Sequence, residues 1–358
     1  MSHLTHIAEN KENLILRFKI IQWIREWFNA NGFLEVETPI ILRLPGQEPY
    51  LSPLKLNVHN ESDKGFVGYL HTSPEYTLKK MLAAGFGDIY SLCKTFRDYE
   101  SFGGTHNPEF TMIEWYRTGV DMFAIMNDVE RLFAFIVEKF ISVIPSEAEG
   151  SPSLSQLPGD FSTSLRSGRN DIAGGFERIH MRDLWKKFVG VNLDEYLTKE
   201  KMFGLCVSRG YKPEQSEEYE DLFSRIFIDE VEPYLGKEKP LIVHHYPMSM
   251  AALSRQSQAD SGYAERFEVY IDGLELANAY CEITDADVIE ERLKTEKIKR
   301  AELGRDVFEV DREFVEAVRC MPESAGISLG IDRLVQLFTG CKNIDDVLVL
   351  PMSELMNQ

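Results

Sequence analysis

Cysteine is scarce and unpaired. Cys93, Cys206, Cys281, Cys320 and Cys341 are scattered, with no C-x-x-C spacing. That argues against a zinc ribbon and a disulfide framework and suits a reducing compartment. Long apolar runs are missing as well: no stretch approaches the ~18 apolar residues of a membrane span. The N-terminus, Met1-Ser-His-Leu-Thr-His, lacks a basic segment followed by an apolar one, so no secretory leader is read there. A cytoplasmic protein with no membrane partner is expected. Positive charge is the third deficit, with 39 Lys and Arg against 58 Asp and Glu and a formal net charge of −19 at pH 7. Nucleic-acid binders neutralise phosphates with Lys and Arg, whereas this surface on average repels a polyanion. The balance argues against tRNA and for a small ligand or a basic protein.

What remains is a globular composition. The chain has 358 residues, 44% apolar, 11% aromatic and 27% charged, enough core for one large α/β domain or two small ones without staples. Leu14, Phe18, Ile21, Ile24, Trp27 and Phe28 recur at spacings of three and four and predict an amphipathic helix stopped by Asn31-Gly32. Residues 33–39 predict a short strand ended by proline, and 67–71 another. Ser73-Pro74-Glu75 should cap a helix carrying Tyr76, Leu78, Met81 and Leu82. Residues 89–97 and 109–117 predict the arms of a long antiparallel hairpin around Ser101-Phe102-Gly103-Gly104-Thr105. A helix is expected over 121–140. Residues 145–171 are dense in Ser, Pro and Gly and read as a mobile surface insertion with nothing catalytic in it. Residues 180–236 look helical and irregular. A strand is predicted over 241–246, then a hairpin, 264–270 and 274–279, turned at Asp272-Gly273. A charged surface helix over 288–304 and a Gly-rich strand entering a helix over 326–337 complete the pass. Hairpin strands mixed with helices argue for α+β with an antiparallel sheet.

Four stretches carry chemistry. In the first, Phe96-Arg97-Asp98-Tyr99-Glu100 faces His106-Asn107-Pro108-Glu109-Phe110 across the glycine loop. An arginine fork suits phosphate oxygens, and a ring such as Phe110 suits a nucleobase. A solvated hairpin with surface charges is the alternative. In the second, Gly326-Ile327-Ser328-Leu329-Gly330-Ile331-Asp332-Arg333, glycines at a strand end let a ligand approach the backbone, and Arg333 opens the next helix. A purely geometric turn is the alternative, and the spacing is not that of a dinucleotide fingerprint. In the third, Glu268 and Glu275 sit on two arms of a hairpin whose carboxylates could hold Mg²⁺ against a triphosphate, unless they belong to a plain polar sheet face. His244-His245 is a weak metal candidate, because strand neighbours point to opposite faces. In the fourth, Thr72-Ser73-Pro74-Glu75, a buried glutamate could accept from a substrate ammonium, or Ser73 could simply cap its helix.

Together these stretches resemble the class II lysyl-tRNA synthetase catalytic domain, and more specifically its truncated relative, the elongation factor P lysine ligase family. Residues 93–97 with 106–116 are similar to motif 2, 326–333 to motif 3 and 33–39 to motif 1, the dimer element of the family. Residues 264–278 and Gly236-Lys237-Glu238-Lys239-Pro240 also read as family sequence. The resemblance implies a class II synthetase fold, mixed and mainly antiparallel, over 10–358, and a homodimer. It implies ATP as substrate with Mg²⁺, and nucleotide contacts by Arg97, Glu100, Asn107, Phe110, Glu268, Val269, Gly330 and Arg333. Arg97 would hold the α-phosphate, Arg333 the γ-phosphate, and Phe110 would stack on adenine. Glu268 and Glu275 would face Mg²⁺. Ser73, Pro74, Glu75, Tyr116, Glu275 and Asn278 would line the amino-acid pocket.

The sequence departs from the family at several points. Tyr99 stands where a glutamate is usual, the loop is one residue longer, and a loop arginine near Thr105 is missing. Ser328 replaces the Gly of tRNA-charging relatives or the Ala of the ligases, and Ala279 replaces a common Gly. About a dozen residues precede the predicted first helix, too few for an anticodon-binding OB domain. The resemblance therefore points to lysine or (R)-β-lysine joined to a lysine side chain of elongation factor P. A synthetase-like enzyme with another acceptor, tRNA or a small amine, and a non-catalytic regulatory paralogue are the competing readings.

Overall fold

The computed structural model describes residues 3–143 and 175–356. The insertion expected at 145–171 lies outside the described residues. In chain order the strands are β1 (Leu34–Glu35), β2 (Ile41–Leu42), β3 (Lys55–His59), β4 (Gly65–Leu70), β5 (Ile89–Phe96), β6 (Glu109–Thr118), β7 (Glu177–His180), β8 (Leu241–Pro247), β9 (Tyr263–Ile271), β10 (Leu274–Cys281) and β11 (Ser324–Gly330). The chain forms two compact units. One comprises Met1–Val120, Glu138–Phe140 and Ile283–Gln358, the other Asp121–Val137 and Ile141–Glu282. Among the described residues no helix is long and apolar enough to cross a membrane.

In the first unit β5 and β6 form the expected long hairpin, with Phe96 opposite Glu109 and Ile89 opposite Tyr116. β11 pairs antiparallel with β6, and β1 runs parallel to β5. A small sheet has the order β2-β4-β3. β1 is only two residues long, where a strand over 33–39 is predicted. Val36 N still donates to Tyr90 O at 2.8 Å, but Pro39 has no N–H to extend a ladder and 36–39 carry no regular structure.

The helix Lys11–Ala30 buries Leu14, Arg17, Ile20, Trp23, Ile24, Trp27 and Phe28; of the predicted face Leu14, Ile24, Trp27 and Phe28 are buried, and Ile21 is only half-buried beside Ile20. Phe18 is not part of that face: it is exposed, and Arg17 takes the inward position. Asn31 ends the helix by donating from its side chain to Trp27 O at 2.7 Å, and Gly32 follows with φ 80°. The first dozen residues, expected to precede helical structure, already contain the helix His3–Glu9. The charged helix, Ala286–Glu302, is not wholly on the surface. Arg300 is buried, and its guanidinium donates to the carbonyls of Glu48, Leu51 and Asp306 at 2.6 to 2.8 Å.

In the second unit β7 and β8 are parallel, and β8, β9 and β10 form an antiparallel meander. Its last turn is Asp272-Gly273 as predicted, both in the left-handed region at φ 54° and 76°. The helices Met181–Phe188, Lys199–Ser208 and Tyr219–Glu230 contribute Trp185, Met202 and Phe223 to a core that also holds Tyr246, Tyr263 and Tyr270. The two adjacent histidines do not point apart. A bulge between His244 and Tyr246, with His245 at φ 61°, brings the two Nδ1 atoms to 2.6 Å, and His180 stacks on His245.

Candidate active site

Strand alternation puts Met112, Glu114 and Tyr116 on one face of β6. In β11, Ser328 lies opposite Glu114 and Gly326 opposite Tyr116. A Cβ on Gly326 would come within 2.2 Å of Tyr116 Cε1, so glycine is what admits the tyrosine ring. Glu114 is buried. It accepts the Ser73 hydroxyl on Oε1 at 2.5 Å and the Tyr116 hydroxyl on Oε2 at 3.3 Å. Ser73 is not a side-chain N-cap in the expected sense. Pro74 occupies the cap position, and Ser73 Oγ accepts the Glu75 N–H at 3.0 Å. Glu75, the first residue of the helix Glu75–Ala83, pairs with buried Lys79 at 2.5 Å. Burial first, and Glu75 second, push the Glu114 carboxyl up from 4.5 to about 8, against the opposing pull of Ser73 and Lys79. The predicted amino-acid residues Ser73, Glu75 and Tyr116 are thus brought together, with Pro74 between two of them. Glu75 is paired with Lys79, while Glu114, held up by burial, accepts two hydroxyl donors and would become a carboxylate partner for an added ammonium.

The phosphate and adenine candidates of this unit also assemble. Arg97 follows β5, donates its N–H to Pro108 O at 2.9 Å, and lays its guanidinium 5.0 Å from the centre of the Phe110 ring. Arg333 is in the first turn of the helix Ile331–Thr339, whose N-cap is Gly330. Its Nη2 meets His106 Nε2 at 2.9 Å, and its Nε donates to Thr105 O at 3.3 Å. Burial and Arg333 lower the His106 pKa, which suits a neutral ring accepting from the guanidinium. Glu100 Oε2 stands 4.0 Å from the same ring nitrogen. Asn107, expected beside the nucleotide, is buried and engaged at both ends. It donates to Glu109 O at 2.6 Å and accepts Met352 N at 2.9 Å.

In the second unit the hairpin arms carry Glu268 and Glu275 as expected. Glu275 lies opposite Tyr270 and Asn278 opposite Glu268. Strict alternation would send residues three apart to opposite faces, but a bulge between Glu275 and Ala277 resets the phase. Glu268, Glu275 and Asn278 therefore share a face. Arg266 joins them, donating to Glu268 Oε1 at 2.6 Å and Asn278 Oδ1 at 3.2 Å. Val269, expected at the nucleotide, projects to the other face, is fully buried and is paired between β8 and β10.

The family described as tRNA synthetases class II (D, K and N) matches residues 3–354. The chain belongs to this family. A protein of Avibacterium paragallinarum is 33% identical over 344 residues, one of Enterobacter sp. (strain 638) 35% over 338, and one of Salmonella arizonae 36% over 338. Each alignment covers 94% of both chains, and all three relatives are named elongation factor P--(R)-beta-lysine ligase. The class II synthetase fold is accordingly the fold of this chain, and the mixed, mainly antiparallel strand pairing of each unit agrees with it.

The departures from the family pattern have visible settings. Tyr99 is 89% exposed and sits at φ 62°, a left-handed backbone that disfavours a bulky residue. Ser328, directly across from Glu114, adds a hydroxymethyl group to the face that holds the carboxylate. Ala279 is buried opposite Phe267, on the other face from Asn278. Sequence reasoning passed over Glu114, although its alternation with Tyr116 along β6 was a usable signal. It also passed over Glu48, whose Oε2 is buried without a hydrogen bond. Burial and Glu75 raise the Glu48 carboxyl while Arg97 pulls it down, so it belongs to the same electrostatic cluster. No local pattern marks it.

Proposed function

We infer that this chain activates lysine or (R)-β-lysine with ATP and transfers it to a lysine side chain of elongation factor P. The observation that carries this reading is the buried Ser73–Glu114–Tyr116 group beside the Glu75–Lys79 pair, a wall that takes an ammonium, in a chain of the class II synthetase family. The acceptor comes from the shared name of the relatives. Glu75 and Glu114 would bind the substrate ammonium, and Glu275 and Asn278 are proposed as amino-acid contacts in their own right. Arg97 would hold the α-phosphate, Arg333 the γ-phosphate and Phe110 the adenine. Arg333 must first exchange Thr105 O and His106 for phosphate oxygens.

In the first step a substrate carboxylate oxygen bonds to the α-phosphorus and the bond to pyrophosphate breaks. In the second the lysine ε-amine bonds to the carbonyl carbon, AMP departs, and the amine loses a proton. Arg97 and Arg333 stabilise charge on the phosphates as it redistributes. Glu268 and Glu275 would hold Mg²⁺. Glu268 has three protein donors on about four lone-pair positions, and Mg²⁺ takes one or two carboxylates with phosphate and water, so the donor set fits. When bound, the ion would neutralise phosphate charge.

The whole of 10–358 would be one catalytic domain working in the cytoplasm as a homodimer. Exposed Ile15 and Phe18 on one helix and exposed Leu34 on an edge strand support a self-contact. ATP–pyrophosphate exchange with lysine and with (R)-β-lysine tests activation, and labelled amino acid offered to elongation factor P and tRNA tests the acceptor. Exchange with one of the two amino acids and label on elongation factor P are expected. Label on tRNA would shift the reading to a tRNA-charging enzyme, and absence of exchange would shift it to a non-catalytic paralogue.

A further inference from the structure

The hydrogen bonds around Glu268 are lopsided. Oε2 receives two phenol hydroxyls, from Tyr246 on β8 and from Tyr270 two residues along β9, each at 2.5 Å. Oε1 receives the Arg266 guanidinium at 2.6 Å. Arg266 is itself held by Met250 O at 2.7 Å and by Asn278, and it lies over the Tyr246 ring at 4.6 Å. Both tyrosines are buried in the core of the second unit. Packing alone would be satisfied by phenylalanine at both places, since hydroxyls add polar atoms that a core must then satisfy. Instead both hydroxyls converge on one oxygen of one carboxylate. A carboxylate whose rotation is blocked in this way has a fixed direction for its remaining lone pair.

We propose that Tyr246 and Tyr270 are positioning residues for Glu268: they pin Oε2 in the core and leave Oε1 as the oxygen through which Glu268 engages metal-bound ATP. The inference rests on the assignment of Glu268 to magnesium and ATP made above. Outer partners of metal-binding carboxylates typically change metal affinity or activity by about 10- to 100-fold when removed.

Tyr246→Phe, Tyr270→Phe, the double variant and Glu268→Gln test this in the full chain. Mn²⁺ with ATP, without amino acid, is titrated by electron paramagnetic resonance. The Mg²⁺ concentration giving half-maximal pyrophosphate exchange and the melting temperature are measured alongside. Each single phenylalanine should weaken Mn²⁺·ATP binding and raise the Mg²⁺ requirement by about 10-fold, and the pair by up to about 100-fold. Melting temperature should move little. If Glu268→Gln is impaired but the phenylalanine variants keep wild-type metal dependence, the tyrosines only fill the core and the inference fails alone. If Glu268→Gln itself binds Mn²⁺·ATP like wild type, the assignment of Glu268 fails and takes the inference with it. Should the double variant unfold, Tyr270→Phe alone decides, since ring and volume are kept.

Discussion

At the scale of single residues, Glu114 ties folding to pH and, in the proposed ammonium site, would tie both to ligand binding. With its carboxyl pushed up to about 8, it is mostly protonated at pH 7 in the unliganded chain. A ligand ammonium favours the anion, so binding should release a proton and tighten as pH rises through 7 to 8. Calorimetry in two buffers of different ionisation heat reads the release, and Glu114→Gln should abolish it. The same shift has a cost for the empty protein. A group raised above its ordinary 4.5 stabilises the fold fully below that value, and the contribution is lost as pH climbs through about 8. Thermal melts of the unliganded chain should therefore show a decline over that interval that is flatter in Glu114→Gln. Arg97 is instead the residue proposed to act on the transition state. Arg97→Ala should lower pyrophosphate exchange by about 10²–10³, and near wild-type exchange would refute its role.

At the scale of elements, two strand features and one helix anchor position candidate residues. Gly326 gives β11 the space that Tyr116 on β6 fills. Gly326→Ala puts a Cβ into the ring, which should cost about 1–3 kcal/mol in urea unfolding and raise the KM for the amino acid. The bulge in β10 lets Glu275 and Asn278, three residues apart, share a face. The helix bearing Arg333 is anchored from behind. Asp332 pairs with Arg17 at 2.5 Å and accepts Thr111 N at 2.9 Å, while Arg17 also donates to Thr111 Oγ1 at 2.7 Å. Both charged residues are buried, so Arg17→Met strands a carboxylate and should destabilise by about 3–5 kcal/mol in the same assay.

At the scale of the whole molecule, a net charge of −19 sets which macromolecules approach. Long-range repulsion of a polyanion is screened by salt. Any complex with tRNA should thus be weak at low ionic strength, which a filter-binding series in rising salt reads directly. Composition alone supports that statement, and sequence alone also determined the fold class, the hairpins and their turn, and an amphipathic helix within Lys11–Ala30, and it nominated the candidate site residues. These follow from properties of a local segment: the period of apolar residues, the backbone freedom of glycine at Asp272-Gly273, and the order of recognisable motifs. Tertiary structure decided the rest. It turned Arg17 inward and Phe18 outward on one helix because Asp332, far along the chain, supplies a buried partner. It brought His245 round to His244 through a bulge, and it buried Glu114 between the hydroxyls of Ser73 and Tyr116. A side chain's burial and its choice of charge partner depend on residues that only the fold makes neighbours, and no local period encodes them.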